Sequence, residues 1–566
     1  MTRPERVRLG DLLVKQGYLS HEQIELALVE QKNTGRKLGR ILIDKKFVSE
    51  EQIASALARQ MALPFINLDQ RNLDPNVVQK LSEAQARRYR ALVIEQRTDS
   101  LLVAMCDPTD LSAYDDLTRL LKTTLDLAVV VEGQVLEVID RMYRRTQEIS
   151  GLAKALEADV GEVTDFGQLL GGNSQEDAPV VRLLQTVLDD AMQARASDIH
   201  FEPQESRLQI RFRIDGVLQA QTTADMKIAP SVVLRLKLVS GLDISEKRLP
   251  QDGRFVIKVR GKPVDVRIST MPTQYGESIV MRLLARTEGV SRLDDLNMPA
   301  PILNRFRHAI HRPNGLILVT GPTGSGKTTT LYAALDELNN SETKIITVED
   351  PVEYRLSGIN QVQVNDKIDL SFSRVLRSAL RQDPDVVLVG EMRDQETAQI
   401  GLRAAMTGHM VLSTLHTNDA ATSTLRLMDM GVPPFLVTTS LQGVLAQRLV
   451  RKVCSRCGTD HALDAKDRQW LSAALPEQAV PDTQRVGRGC NYCNNTGFLG
   501  RTGVYEFLEM SLDLINSATR ANPSEFVHLA RQQLGKNTLR HHAANLVLAG
   551  VTTVAEAMKV SYELSE

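Results

Sequence analysis

Short, wholly apolar runs mark the C-terminal half of the chain: Leu316-Ile317-Leu318-Val319-Thr320, Lys344-Ile345-Ile346-Thr347-Val348 and Asp385-Val386-Val387-Leu388-Val389. Runs this short that lack polar alternation predict strands buried on both faces, as in a parallel sheet. The stretch Thr329-Thr330-Leu331-Tyr332-Ala333-Ala334-Leu335 after the first run has helical spacing. Strand then helix predicts an α/β fold. Upstream the period changes to two. In Leu208-Gln209-Ile210-Arg211-Phe212-Arg213-Ile214 one face is apolar and the arginines share the other, and Asp215-Gly216 then predicts a hairpin turn. Two further apolar strands are expected at Ala91–Ile94 and Leu101–Ala104.

The first sixty residues repeat with a period of 29: Arg8-Leu9-Gly10 recurs as Lys37-Leu38-Gly39, and Leu19-Ser20-x-Glu22-Gln23-Ile24 as Val48-Ser49-x-Glu51-Gln52-Ile53. Ser20 and Ser49 predict N-caps with Gln23 and Gln52 at N3, two capping boxes, and Leu19/Ile24 and Val48/Ile53 add hydrophobic staples. Each unit is therefore a helix, a tight turn and a second helix. Ile24, Ala27, Leu28 and Gln31 share one helix face. A glutamine ending an apolar stripe twice, as Gln31 and Gln60, suggests a polar ligand; a helical repeat that only docks on a partner is the alternative.

Composition narrows the classes. A chain of 566 residues suits three or four domains. With net charge −2, 4% aromatics and Trp470 as the sole tryptophan, nothing points to a nucleic-acid polymer. No 18-residue apolar run occurs, and the start lacks a signal-peptide core. The expectation is a cytoplasmic protein without direct membrane insertion. Residues 147–177 are acidic and glycine-rich, as in a flexible linker. The expected map is a regulatory domain at 1–146, this linker, an α+β domain at 178–300, and 301–566 as the α/β unit, with an insert at 450–505.

The chemistry concentrates at Gly321-Pro322-Thr323-Gly324-Ser325-Gly326-Lys327-Thr328, which fits the P-loop pattern between a strand and a helix. Its backbone amides and helix N-terminus suit phosphates. Lys327 would reach the β- and γ-phosphates of ATP, Thr328 would hold Mg²⁺, and Thr329 completes the binding loop. Glu391 ends one apolar run and suits Mg²⁺ through water. Glu349, Asp350 and Glu353 form an acidic turn able to polarise a water. Cys454-x-x-Cys457 and Cys490-x-x-Cys493, separated by 32 residues, suit a closed structural Zn²⁺ site; a redox dithiol or unliganded thiols are the alternatives. Cys106, in an apolar stretch, reads as core.

The blocks GPTGSGKTTTLY, ITVEDPVEY, LRSALRQDPDVVLVGEMRD and TGHMVLSTLHTNDA resemble the Walker A, Asp, Walker B and His boxes of the secretion ATPases of type II secretion systems and type IV pili. The resemblance implies a RecA-like, P-loop enzyme that hydrolyses ATP to ADP and phosphate as a homohexamer, working on an inner-membrane platform protein from the cytoplasmic side. It implies Glu353 as catalytic glutamate, Glu391 as Walker B acid, and His409 and His416 near the γ-phosphate. Phosphate-contacting arginines in the preceding domain match Arg213, Arg254, Arg267 and Arg282. The N-terminal repeat resembles the cyclic di-GMP-binding domain of MSHA-type pilus assembly ATPases. That implies ligand contacts from Arg8, Leu9, Gly10, Leu28 and Gln31, from Leu38, Gly39, Ile53, Leu57 and Gln60, and from Asp107. Lys37 replaces the arginine of the second motif and Lys46 stands where the first unit has Gly17. The expected function is MSHA-like pilus assembly under cyclic di-GMP control; a type II secretion ATPase with a docking N-terminus is the alternative.

Overall fold

The computed structural model describes residues 9–34, 38–45, 47–68, 71, 73–143, 179–259, 262–285, 292–520 and 522–561. The repeat folds as two helix pairs, α1 (Leu9–Lys15) with α2 (His21–Thr34), and α3 (Leu38–Asp44) with α4 (Glu50–Met61). Both capping boxes form. The N–H groups of Gln23 and Gln52 donate to the serine hydroxyls at 3.2 Å, and the serine N–H groups donate back to the glutamine carbonyls at 3.0 and 2.8 Å. The pairs interlock, α1 on α4 and α2 on α3, around Leu13, Ala27, Ile41, Leu42 and Ala56. A Cβ on Gly39 would lie 3.3 Å from the Ile53 side chain, so the missing side chain sets how closely α3 approaches α4. Arg8, Lys37, Lys46 and the expected linker lie outside the described residues.

Next come β1 (Ala91–Gln96), β2 (Ser100–Met105) and β3 (Thr124–Val129), with β1–β2 antiparallel and β2–β3 parallel. Ala54 and Ala58 of α4 seat the repeat on this sheet against Val129. Cys106 packs at the margin of its core, and burial pushes its thiol up to about 12.

A six-stranded antiparallel sheet follows, made of β4 (Ala196–Pro203), β5 (Arg207–Ile214), β6 (Val217–Asp225), β7 (Gln251–Val259), β8 (Lys262–Thr273) and β9 (Gly276–Ala285). Its order is β6-β5-β4-β9-β8-β7. The Asp215-Gly216 turn joins β5 to β6 with both φ angles positive, as a two-residue hairpin loop demands. The apolar faces of helices Pro179–Gln193 and Ala229–Ser240 cover one side of the sheet.

The three apolar runs become β10 (Gly315–Thr320), β11 (Ile345–Glu349) and β13 (Val386–Val389), joined by β12 (Asn360–Gln363), β14 (Met410–Leu415) and β15 (Leu441–Val453) in a parallel array. β16 (Gly458–Ala462) and β17 (Thr483–Gly487) form a separate hairpin, and β18 (Phe498–Glu509) closes the main sheet antiparallel to β15. The order is β12-β11-β13-β14-β10-β15-β18, so β14 lies between the P-loop strand and β13. Residues 450–453 and 498–505, expected in the cysteine-bearing insert, instead belong to the paired strands β15 and β18. All four paired cysteines lie in the 454–497 segment between these two strands.

Ser49→Ala removes one capping box and is expected to cost about 1 kcal/mol at the start of α4. Hydrogen exchange of amides 51–53 should accelerate roughly fivefold; unchanged exchange would show that the box does not hold that helix.

Candidate functional site

The P-loop owes its shape to residues without side chains. At Gly321 φ is 150°, and a Cβ there would sit 2.4 Å from the Gln447 carbonyl oxygen of β15. Helix Lys327–Leu338 starts directly behind the loop. Its first-turn N–H groups, from Lys327, Thr328 and Thr329, have no intrahelical partner and carry the positive end of the helix dipole. Pro322, Thr323 and Gly324 are exposed, whereas the buried Ser325 hydroxyl has no hydrogen-bond partner among the described residues. Lys327 folds back across the loop, donating to the carbonyls of Gly321 and Pro322 at 2.8 and 3.1 Å. Burial lowers its ammonium to about 8, with Arg448 pushing the same way and Glu391 opposing. The loop fits a phosphate chain: a left-handed backbone, free amides, an orphan hydroxyl and a lysine short of counter-charge.

Glu391 lies just past β13, where Arg393 pairs with one carboxylate oxygen at 2.5 Å and His416 faces the other at 3.4 Å. The Thr414 hydroxyl fixes the adjacent turn through the Gly390 carbonyl at 2.7 Å. His409 is elsewhere. Its carbonyl accepts the N–H of Gly315 at 3.1 Å, and its ring faces the Ala404 carbonyl at 3.0 Å. β10 and β14 run parallel with Gly315 opposite Met410 and Thr320 opposite Leu415, so His409 sits at the far edge of the sheet. A strand of this length puts it roughly 20 Å from the P-loop. The two histidines expected together near the phosphates thus lie at opposite ends of β14, with His416 at the P-loop end beside Glu391.

The acidic turn also divides. Glu349 is buried and accepts hydrogen bonds from the hydroxyls of Tyr332 and Thr347 and, at 3.2 Å, from the Gln361 amide. It is a structural anchor rather than part of a base cluster. Glu353 faces the other way, to Arg267 of β8 at 2.9 Å, and the same guanidinium donates to the Val352 carbonyl at 2.9 Å.

The four expected arginines are brought into one line. Arg254, Arg267 and Arg282 stand directly opposite one another on β7, β8 and β9, and the row continues through Asp198 on β4 to Arg213 on β5. Asp265 holds Arg254, and Asp198 holds Arg282 at 3.0 Å and Arg213 at 3.6 Å. Like charges facing each other across strands repel, so the row suits a polyanion. Asp198, Asp265, Tyr332 and Arg448 were not singled out from the sequence. Arg448 shares its end of β15 with Gln447, Arg451 and Lys452, so nothing in the local pattern marks it out. It donates to the Asn418 carbonyl at 2.7 Å, and burial lowers its guanidinium.

A family model described as type II/IV secretion system protein matches residues 173–559. The chain belongs to this family. A second model, the MshEN domain, matches residues 61–149. The type IV pilus assembly ATPase PilB of Myxococcus xanthus is 41% identical over 97% of this chain and 98% of its own. The type II secretion system protein E of Pectobacterium carotovorum is 44% identical over 85% of this chain and 96% of its own. A solved structure of MshE with cdg is 45% identical over 24% of this chain and all of its own, with a TM-score of 0.23.

The secretion ATPase thus carries its family's P-loop core, with two further features outside it. The four cysteine sulfurs lie within 4.8 Å of one another. Cys454–Cys490, Cys457–Cys493 and Cys490–Cys493 are 3.9, 3.8 and 3.7 Å apart. A tetrahedral Zn²⁺ with bonds of about 2.3 Å requires sulfurs about 3.8 Å apart, so the donor set fits zinc. Among the expected cyclic di-GMP residues, Leu9, Leu38, Leu57, Gln31 and Gln60 are half-buried and Leu28 is exposed. Ile53 is taken up by the core between the repeats, against Gly39. Asp107 accepts from the Thr109 N–H at 3.0 Å; it alone of these residues lies in the segment matched as MshEN. No described helix is long and apolar enough to cross a membrane.

Phosphate binding raises the pKa of Lys327 from its depressed free value. The affinity for ATP is therefore expected to be flat below pH 8 and to weaken above it, by up to about tenfold per pH unit. Titrating a non-hydrolysable analogue between pH 7 and 9.5 checks this, and a constant affinity would contradict it.

Proposed function

We propose that this ATPase powers assembly of an MSHA-like type IV pilus, as a homohexamer acting on an inner-membrane platform protein under cyclic di-GMP control. The observation that carries the catalytic reading is the Arg267–Glu353 pair, which sets an arginine-lined sheet against the acid beside the P-loop. Glu353 orients an attacking water and takes its proton as the water oxygen bonds to the γ-phosphorus, and ADP leaves with the bridging oxygen. Lys327 and the loop amides hold the β- and γ-phosphates. Thr328 would hold Mg²⁺, with Glu391 behind it, and the ion would supply charge neutralisation. Arg213, Arg254, Arg267 and Arg282 close over the phosphates, their acidic partners yielding to the stronger anion. His416 steadies Glu391.

The tandem repeat supports the messenger reading: two matched units each end their stripe in a glutamine, as a two-fold dinucleotide needs. Cys454, Cys457, Cys490 and Cys493 would hold Zn²⁺, which would tie the two knuckles together. Arg456, between the first two cysteines, stacks over Tyr492 at 3.8 Å and pairs at 2.8 Å with Glu137 of helix Glu132–Met142, which follows β3. On the other side, Gly500 donates to Asp215 of the β5–β6 turn at 2.9 Å. The knuckle therefore touches the N-terminal unit, and β18, which leaves it, touches the arginine-bearing sheet, a route for regulation.

A second reading, type II secretion with a docking N-terminus, is favoured by one feature. α2 exposes Leu26 and Val29, each 60% accessible, where the equivalent α4 packs on the β-sheet.

Glu353→Gln is expected to lower steady-state phosphate release roughly 10²–10⁴-fold while ATP-analogue affinity is kept; a retained rate would remove Glu353 from catalysis. Calorimetric titration of cyclic di-GMP into the full chain should give low-micromolar or tighter binding that Gln31→Ala with Gln60→Ala abolishes. Silence into the high-micromolar range would favour the docking reading and type II secretion.

A further inference from the structure

The helix that opens at the P-loop carries one polar atom into the core behind the acidic turn. Tyr332 lies five residues after Lys327, about 7.5 Å along the helix axis, and is fully buried. Its hydroxyl donates to the Glu349 carboxylate, which is itself fixed by Thr347 and Gln361. The same oxygen accepts the backbone N–H of Glu353 and the Gln361 amide, each at 3.4 Å. Burial, and after it the hydrogen bond to Glu349, pushes the phenol far above its ordinary range, so it stays a protonated donor. The Tyr332 ring packs edge-on against Tyr354, with centroids 4.7 Å apart and planes at 78°.

A buried tyrosine with a satisfied hydroxyl is ordinary core in many proteins. What sets this one apart is what it holds. It grips the chain on both sides of the Glu353 side chain: the residue's own N–H, and the ring of the next residue. The side chain itself then extends to Arg267 on the other sheet. One rigid helix thus connects Lys327 at the phosphates, through Tyr332, to the backbone that aims Glu353.

We propose that Tyr332 is a positioning residue for ATP hydrolysis: its hydroxyl, anchored on buried Glu349, fixes the backbone of Glu353 and ties it to the P-loop helix. This rests on the reading of Glu353 as the group that orients the attacking water. Tyr332 touches no substrate. It acts on kcat through the placement of the Glu353 carboxylate, leaving the ground-state grip on ATP to the loop.

The test uses the full chain with Tyr332→Phe, Glu353→Gln and the double variant, measuring phosphate release and affinity for a non-hydrolysable ATP analogue. Tyr332→Phe should lower kcat about tenfold or more, with KM and analogue affinity within about twofold. In the Glu353→Gln background it should have no further effect, because both changes remove the same function. An unchanged kcat for Tyr332→Phe beside an inactive Glu353→Gln overturns the proposal alone. So does a joint loss of rate and analogue affinity, or a double variant whose losses multiply. A fully active Glu353→Gln overturns the reading of Glu353 and this proposal with it. If Tyr332→Phe does not fold, Glu349→Gln, which loosens the anchor while keeping its shape, should show the same split between kcat and KM. An unchanged kcat there would overturn the proposal.

Discussion

Three arginines held side by side on adjacent strands repel one another, and that repulsion must be offset somewhere. Here it is offset by carboxylates that are short of fully neutralising it. Asp265 takes Arg254, Asp198 is shared between Arg282 and Arg213, and Arg267 turns out of the sheet to Glu353. The last of these pairs ties the six-stranded sheet to the P-loop sheet, and in the proposed mechanism it lies where charge develops during hydrolysis. On the proposed reading an arriving triphosphate competes for the same guanidinium, and contact between the sheets then depends on what the loop holds. Coupling of occupancy to sheet position then needs no separate device, only a difference in affinity between two arrangements.

The rest of the ATPase divides into strands buried along their whole length and reactive groups with exchangeable partners. β10, β11, β13 and β14 are buried along their whole length, and the turn before Glu391 is locked by a hydroxyl from β14. The partners of the reactive groups are exchangeable by comparison. Lys327 rests on two carbonyls that a phosphate outbids, and Glu391 shares its charge between exposed Arg393 and half-exposed His416. The cysteine knuckle adds a second junction. Its Arg456–Glu137 pair is part-exposed, so it is weak enough to break and re-form.

Much of this was legible in the sequence, for local reasons. The P-loop, the hairpin at Asp215-Gly216, the capping boxes and the paired cysteines depend on residues a few positions apart. What escaped depended on register or on distance along a strand. The two histidines of one block look equivalent until a six-residue extended strand places them on opposite edges of the sheet. The arginine row exists only because β7, β8, β9, β4 and β5 align as they do, and the one hairpin turn the residues predict, Asp215-Gly216, joins β5 to β6, which is none of those pairings. Tyr332 sits in a helix of small and apolar residues, where its spelling is that of core. Glu349 looked like a base because its three hydrogen-bond donors come from positions 332, 347 and 361.

The central claim is that Arg267 joins the two sheets across the site of hydrolysis. Steady-state phosphate release and ATP-analogue affinity of Arg267→Ala, measured beside the unaltered full chain, test it most directly. The account predicts that the maximal rate falls roughly 10²-fold or more while the analogue still binds. An unaltered maximal rate would contradict it, because the pair with Glu353 would then be a surface ion pair without a part in catalysis.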